Sequence, residues 1–170
     1  IREAGIYALE KGRTFYTSNS GRKDLKVEIC NYLKRRCDVL YDPNSEVLVT
    51  VGGSEAIDLA LRAILEPGDE VLIPQPSYVS YVPCTILANG TPVVIELEEK
   101  DDFRLTPEKL LEKITPKSKI LLLPFPNNPT GAIMETEDHE KIAKLAEEKA
   151  LLGSADEINR QLTSTGRPGP

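Results

Sequence analysis

From residue 46 onward the chain alternates short apolar runs with amphipathic stretches of helical period. Glu46-Val47-Leu48-Val49-Thr50-Val51 predicts a buried strand ending at Gly52-Gly53. Ser54 then offers an N-cap. Ala56, Ile57, Leu59, Ala60, Ala63 and Ile64 form a helical apolar face until Pro67-Gly68 stops the run. Val71-Leu72-Ile73 predicts the next strand, with a helix through Tyr78, Val82 and Ile86 behind it. Thr91 to Leu97 gives a third strand. Thr106-Pro107 starts a helix carrying Leu110, Leu111 and Ile114, because proline at the first helical position forfeits no hydrogen bond. Ile120-Leu121-Leu122-Leu123 is a fourth strand, Asn127 to Gly131 a loop, and Thr136 the cap of a helix reaching about Lys149. Ala150-Leu151-Leu152 begins like a fifth strand and breaks at Gly153-Ser154-Ala155. The two ends read differently. Residues 1–45 hold one amphipathic helix (Leu25, Ile29, Leu33, Cys37) after the irregular segment Phe15 to Gly21, and Thr163 to Pro170 reads as a frayed tail.

Strands that are apolar on both faces, each followed by a helix, predict an α/β fold: a mostly parallel sheet covered on both sides, three layers in all. The right-handed crossover rule brings the strand C-termini to one edge, where open α/β sheets bind ligands. Three loops leave that edge: Gly52 to Glu55, Pro74 to Tyr81, and Pro124 to Gly131.

Composition narrows the class. Of 170 residues, 40% are hydrophobic and 28% charged, an ordinary globular balance with enough chain for one cored domain. The net charge of −6 argues against nucleic-acid or anionic-membrane partners, which attract clustered Lys and Arg. No apolar run approaches the roughly 20 residues of a membrane span, and the first residues do not form a signal peptide, so a cytoplasmic protein is expected. Cys30, Cys37 and Cys84 lack metal-type spacing and read as apolar thiols, and the single His139 supports no metal site.

Each loop carries chemistry beside a plainer explanation. Gly52-Gly53-Ser54-Glu55 at a strand-to-helix junction suits an anion, since glycines admit it and the helix start aims N–H groups at it. A tight turn with a serine cap accounts for the same residues. The run is neither a P-loop nor a dinucleotide fingerprint. Tyr78 can stack on a flat ligand or simply pack at a helix start. Asn128, in Pro124-Phe125-Pro126-Asn127-Asn128-Pro129-Thr130-Gly131, projects an amide at the same edge or closes an Asx-turn, although a turn explains only part of that run.

Together these segments resemble the class I/II, fold-type-I pyridoxal-phosphate aminotransferases. The matching pieces are Tyr16-Thr17-Ser18-Asn19-Ser20-Gly21 with Asp24-Leu25; Val49-Thr50-Val51-Gly52-Gly53-Ser54-Glu55-Ala56; Pro67-Gly68-Asp69-Glu70-Val71-Leu72-Ile73-Pro74; Pro76-Ser77-Tyr78-Val79-Ser80-Tyr81; and Asn127-Asn128-Pro129-Thr130-Gly131. The resemblance implies pyridoxal 5′-phosphate as cofactor. It also implies that Gly53, Ser54 and Glu55 hold its phosphate, Tyr78 stacks on its ring, and Asn128 bonds the ring hydroxyl oxygen. Ala155-Asp156-Glu157-Ile158 resembles the family's aspartate strand, which gives Asp156 the pyridine nitrogen. Tyr16 would reach the phosphate of a partner subunit, because family members are homodimers. The substrates implied are an amino acid and a 2-oxo acid.

Two departures qualify what the resemblance implies. Asn159 stands where the family has a tyrosine, and Gly153-Ser154-Ala155 is more polar than the family's strand. None of the twelve lysines has the context of the family's Schiff-base lysine, which together with the family's arginines lies downstream, so no catalytic residue is assigned. The expected organisation is an N-terminal segment over 1–45 with the dimer and cofactor-contact loop, a partial cofactor-binding large domain over 46–155, and an altered or frayed tail over 156–170. The expected behaviour is that of a truncated, inactive aminotransferase segment with an incomplete sheet prone to self-association. The alternatives are a non-catalytic truncated or engineered α/β scaffold and a pyridoxal-phosphate lyase of the same fold.

Overall fold

A computed structural model describes residues 1–157; Ile158, the Asn159 departure and the Thr163–Pro170 tail lie outside the described residues. The chain divides into two compact units, Ile1–Val51 and Gly52–Pro170.

The first unit holds helices α1 (Arg2–Glu10) and α2 (Lys23–Cys37). The pattern foresaw only α2. It missed α1 because that helix buries none of its residues, so its apolar positions trace no stripe. In α2 Cys30 is buried and Cys37 half-buried. Lys26 is buried as well, its ammonium donating to Ser20 Oγ at 3.2 Å. Gly21 has φ +96°, and a Cβ there would meet Val49 Cβ at 2.6 Å, so only glycine fits this crossing. The strand expected over 46–51 does not form. Leu48 and Val51 are exposed, and the run bonds across to Ser20, whose carbonyl accepts from Val49 N–H at 3.2 Å. An apolar run states a need for burial; a strand also needs a neighbour to pair with, and the described sheet offers this run none.

The second unit is the predicted α/β layer structure. Helix α3 (Gly53–Ile64) leads to β1 (Glu70–Gln75), α4 (Tyr81–Leu87), β2 (Thr91–Glu96) and a short 3₁₀ turn (Glu99–Asp101). Then follow α5 (Pro107–Lys113), β3 (Ser118–Leu123), α6 (Thr136–Glu148) and β4 (Leu152–Ala155). All pairings are parallel, in the order β2-β1-β3-β4. Alternation in the two central strands splits the core. Val71, Ile73, Ile120 and Leu122 face one cluster with Leu61, Leu65 and Tyr81. Leu72 and Leu121 face the other with Leu110, Ile142 and Leu151. Helices therefore cover both faces, which is why β1 and β3 read as unbroken apolar runs.

Several local expectations shift by a residue or a turn. Gly52 (φ +83°), not Ser54, is the N-cap of α3. Helix α4 begins at Tyr81, leaving Tyr78 in the preceding loop. Thr106 caps α5 as expected, accepting from Lys109 N–H at 3.4 Å. Helix α6 is capped by Glu135 rather than Thr136, through a reciprocal box in which Asp138 accepts from Glu135 N–H at 3.2 Å. Asp138 also takes Arg104 Nη1 at 3.1 Å. Asp138→Ala should therefore lower stability by about 1 kcal/mol in urea denaturation. The last strand is built from the residues expected to break it, Gly153-Ser154-Ala155, each paired in register with β3. Polar and small residues suffice there because β3 supplies the ladder and Leu152 is already exposed.

At the opposite end of the sheet, Lys119 Nζ lies 2.6 Å from Asp69 Oδ2, and this hydrogen bond, with the Glu66 N–H, holds the Asp69 carboxyl below its usual range. A depressed carboxylate stabilises the fold above its unfolded pKa, near 4, and loses that contribution as pH falls through the folded value. Melting curves of wild type and Asp69→Asn should differ at pH 7, begin to approach each other near the unfolded value of about 4, and converge only once the pH has fallen through the lowered folded value.

Candidate active site

Backbone hydrogen bonding in β1 opens the crevice. Asp69 and Gln75 carbonyls accept from Thr91 and Leu97 on the β2 side, whereas Glu70 N–H donates to Lys117 on the β3 side. Even-numbered residues thus face β3, and the even-numbered Pro74 has no N–H to give. The β1–β3 register ends at Leu72↔Leu121, while β1–β2 runs on to Gln75↔Glu96. The chain leaves β1 toward β2 on one side, and leaves β3 toward β4 on the other. The strands part where the winding reverses, the place where open α/β sheets hold ligands.

A cleft of about 240 Å³ lies there. Gly53 and Ser54 bring the start of α3 to its wall, Tyr78 comes from the β1 exit, and Pro124, Pro126 and Asn128 come from the β3 exit. Asp156, just past β4, closes the set, with its main-chain N–H donating to Leu123 O at 3.0 Å. Ser54 Oγ and Tyr78 Oη are 3.1 Å apart, and that hydrogen bond draws the Tyr78 phenol below its usual pKa. The Asn128 loop is closed by its neighbour, since Gly131 N–H donates to Asn127 O and Asn127 N–H to Ala132 O, both at 2.9 Å. The Asn128 amide is exposed and takes no part in that turn. So the wall offers a helix start with a hydroxyl, an aromatic ring, an amide and a carboxylate around one space.

Residues 1–165 match the family model described as aminotransferase class I and II. The chain belongs to that family. It is 42% identical over 163 residues to a putative aminotransferase of Bacillus subtilis, covering 96% of this chain and 42% of that protein. An aspartate aminotransferase of Pyrococcus abyssi is 40% identical, covering 93% of this chain and 41% of its own length. Among solved structures, an aromatic aminotransferase of Pyrococcus horikoshii superposes with a TM-score of 0.91 at 39% identity, over 92% of this chain and 42% of that one. An alanine aminotransferase of Pyrococcus furiosus gives 0.93 at 32% identity, over 99% and 43%. The chain thus spans about two fifths of the length of these relatives.

Class I and II aminotransferases depend on pyridoxal 5′-phosphate. The cleft suits such a group: a dipole-bearing helix start for a phosphate, an aromatic face for a ring, a carboxylate for a ring N–H, and an amide for a ring oxygen. Five of the residues singled out in the sequence, Gly53, Ser54, Tyr78, Asn128 and Asp156, meet in this one cleft. Glu55 is exposed and outside its wall, and Tyr16 belongs to the other unit, where it is exposed. Two residues carry weight that the sequence reading did not give them. Asn127 is buried and its Nδ2 donates to Pro76 O at 2.8 Å, tying the two exit loops where the ladder has stopped. Tyr81, also buried, donates its hydroxyl to Asp156 Oδ2 at 2.7 Å. The available signal for Tyr81 was its phenol at the head of a short helix that carries no charged residue, where a buried hydroxyl needs a partner. No metal-ligand cluster occurs among the described residues, and no described helix is long and apolar enough to cross a membrane.

Proposed function

We propose that this chain is the cofactor-cradling part of a pyridoxal-phosphate aminotransferase that moves an amino group between an amino acid and a 2-oxo acid. The observation that carries the reading is the convergence of Gly53, Ser54, Tyr78, Asn128 and Asp156 on one cleft at the switch point of the sheet. When bound, the cofactor supplies an electron sink for charge developing on the substrate carbon. The protein does the rest by position. The amides of Gly53 and Ser54 at the α3 start, with the Ser54 hydroxyl, take the phosphate. Tyr78 covers one face of the ring and excludes water from it. Asn128 donates to the ring oxygen, and the Asp156 carboxylate keeps a proton on the ring nitrogen.

None of the twelve lysines lines the cleft. On this reading residues 1–170 taken alone hold the cofactor without completing transamination. Tyr16 serves the phosphate of a second copy, a role supported by the exposed Ile6, Tyr7, Leu9, Phe15 and Tyr16 of the first unit. The test uses pyridoxamine 5′-phosphate, which needs no lysine to bind, followed by its fluorescence. Saturable binding competed by pyridoxal 5′-phosphate is expected, without turnover. No binding at millimolar concentration sinks the reading and favours a non-catalytic scaffold. Stoichiometric borohydride fixation of pyridoxal phosphate to one lysine would overturn the claim of inactivity.

A further inference from the structure

We propose that Tyr81 is the positioning residue of this cleft, its hydroxyl fixing the Asp156 carboxylate and its ring fixing the tilt of Tyr78. The inference rests on the function proposed above and assigns the orientation of that site to a side chain the family resemblance gave no role. Tyr81 is 2% exposed and packs with Leu61, Val71, Ile73, Ile120 and Leu122, so its ring has one place to be. Its hydroxyl reaches 75 residues along the chain to Asp156 Oδ2 at 2.7 Å. Asp156 lies past the end of β4, where its main-chain N–H donates to Leu123 O and its carboxylate accepts from the Tyr81 phenol.

The ring of Tyr81 meets that of Tyr78 edge to face, with centroids 5.7 Å apart and planes at 81°. This is a favoured aromatic geometry that leaves a Tyr78 face available. Tyr78 Oη in turn meets Ser54 Oγ at 3.1 Å. Asp156, Tyr81, Tyr78 and Ser54 therefore form one connected series from the carboxylate to the helix start, and Tyr81 is its only buried member. Packing alone would be served by phenylalanine; a buried hydroxyl is costly unless it is bonded, and its bond here is to the carboxylate. Burial first, and then the bond to Asp156, push the phenol above its usual pKa, so it stays a donor throughout the working range.

The experiment compares wild type, Tyr81→Phe, Asp156→Asn and the double variant in the 170-residue chain, titrated with pyridoxamine 5′-phosphate. Two readouts are taken: affinity by fluorescence, and the pH at which the bound ring loses its nitrogen proton, by absorbance. Tyr81→Phe should weaken binding about tenfold, as for a lost hydrogen bond to a charged group, and shift the absorbance transition to lower pH. In the Asp156→Asn background the same change should have little further effect. Tyr81→His, which keeps a donor, should recover part of both losses. It also decides the matter if Tyr81→Phe does not fold: a transition near that of wild type supports the role, and one matching Asp156→Asn overturns it.

A Tyr81→Phe protein with wild-type affinity and an unshifted transition overturns the inference and leaves the proposed function standing. Equal weakening with and without Asp156, at an unshifted transition, also overturns it, because that is the mark of packing alone. Failure of the wild type to bind overturns the proposed function and this inference with it.

Discussion

Asp156→Ala is expected to weaken pyridoxamine 5′-phosphate binding about thirtyfold, as for a lost hydrogen bond to a charged group. The same change should lower the melting temperature. The first effect follows from the place of Asp156 in the cleft wall beside Tyr78 and Asn128. The second follows from its partner, since removing the carboxylate strands the buried Tyr81 hydroxyl at a cost of about 1–3 kcal/mol. Asp156→Asn separates them: it keeps an acceptor for Tyr81, so stability should recover while affinity remains low. Asp58, a carboxylate of the same unit that does not line the cleft, provides the control, and Asp58→Ala should leave affinity unchanged. If Asp156→Ala binds like the wild type, the polar stretch around Gly153 has displaced this aspartate from its family role.

The contrast between what the sequence disclosed and what it hid has a physical basis. Strands β1 and β3 and helices α3, α5 and α6 were legible because each buries a face, and burial writes a period into the chain. The 46–51 run and the Gly153-Ser154-Ala155 strand were misread for one shared reason. Strand formation depends on a neighbour, and neighbours lie far along the chain: Gly153 pairs with Leu121, while 46–51 has no partner strand in the described sheet. Helix α1 was missed because it buries nothing.

The same division holds at the site. Gly53 and Ser54 open α3, and Tyr78 and Asn128 sit in loops, all where glycines, prolines and polar residues stand out against apolar strands; Asp156 was found by resemblance. Asn127 and Tyr81 escaped because their roles are contacts across 51 and 75 residues. Nothing local marks an asparagine that clasps a distant carbonyl, or a tyrosine that restrains a distant carboxylate.

Leu121→Ala should cost about 3–4 kcal/mol in urea denaturation, with the slope of the transition unchanged. Leu121 is fully buried in β3, between Leu72 of β1 and Gly153 of β4, and its side chain packs in the cluster with Leu110, Ile142 and Leu151. Truncation there leaves a cavity under two helices whose backbones are fixed by other contacts, so little of it can collapse. Leu152→Ala removes the same atoms from a residue half exposed at the sheet edge, and should cost well under 1 kcal/mol. Against a total of about 5–15 kcal/mol for a domain, the first change takes a large share and the second almost none. The difference bears on function because Leu121 is the last residue of β3 still laddered to β1, immediately before the strands part. Loosening that point should let the exit loops carrying Tyr78 and Asn128 separate. Leu121→Ala is therefore expected to weaken pyridoxamine phosphate binding even at temperatures where the protein remains folded, and Leu152→Ala is not.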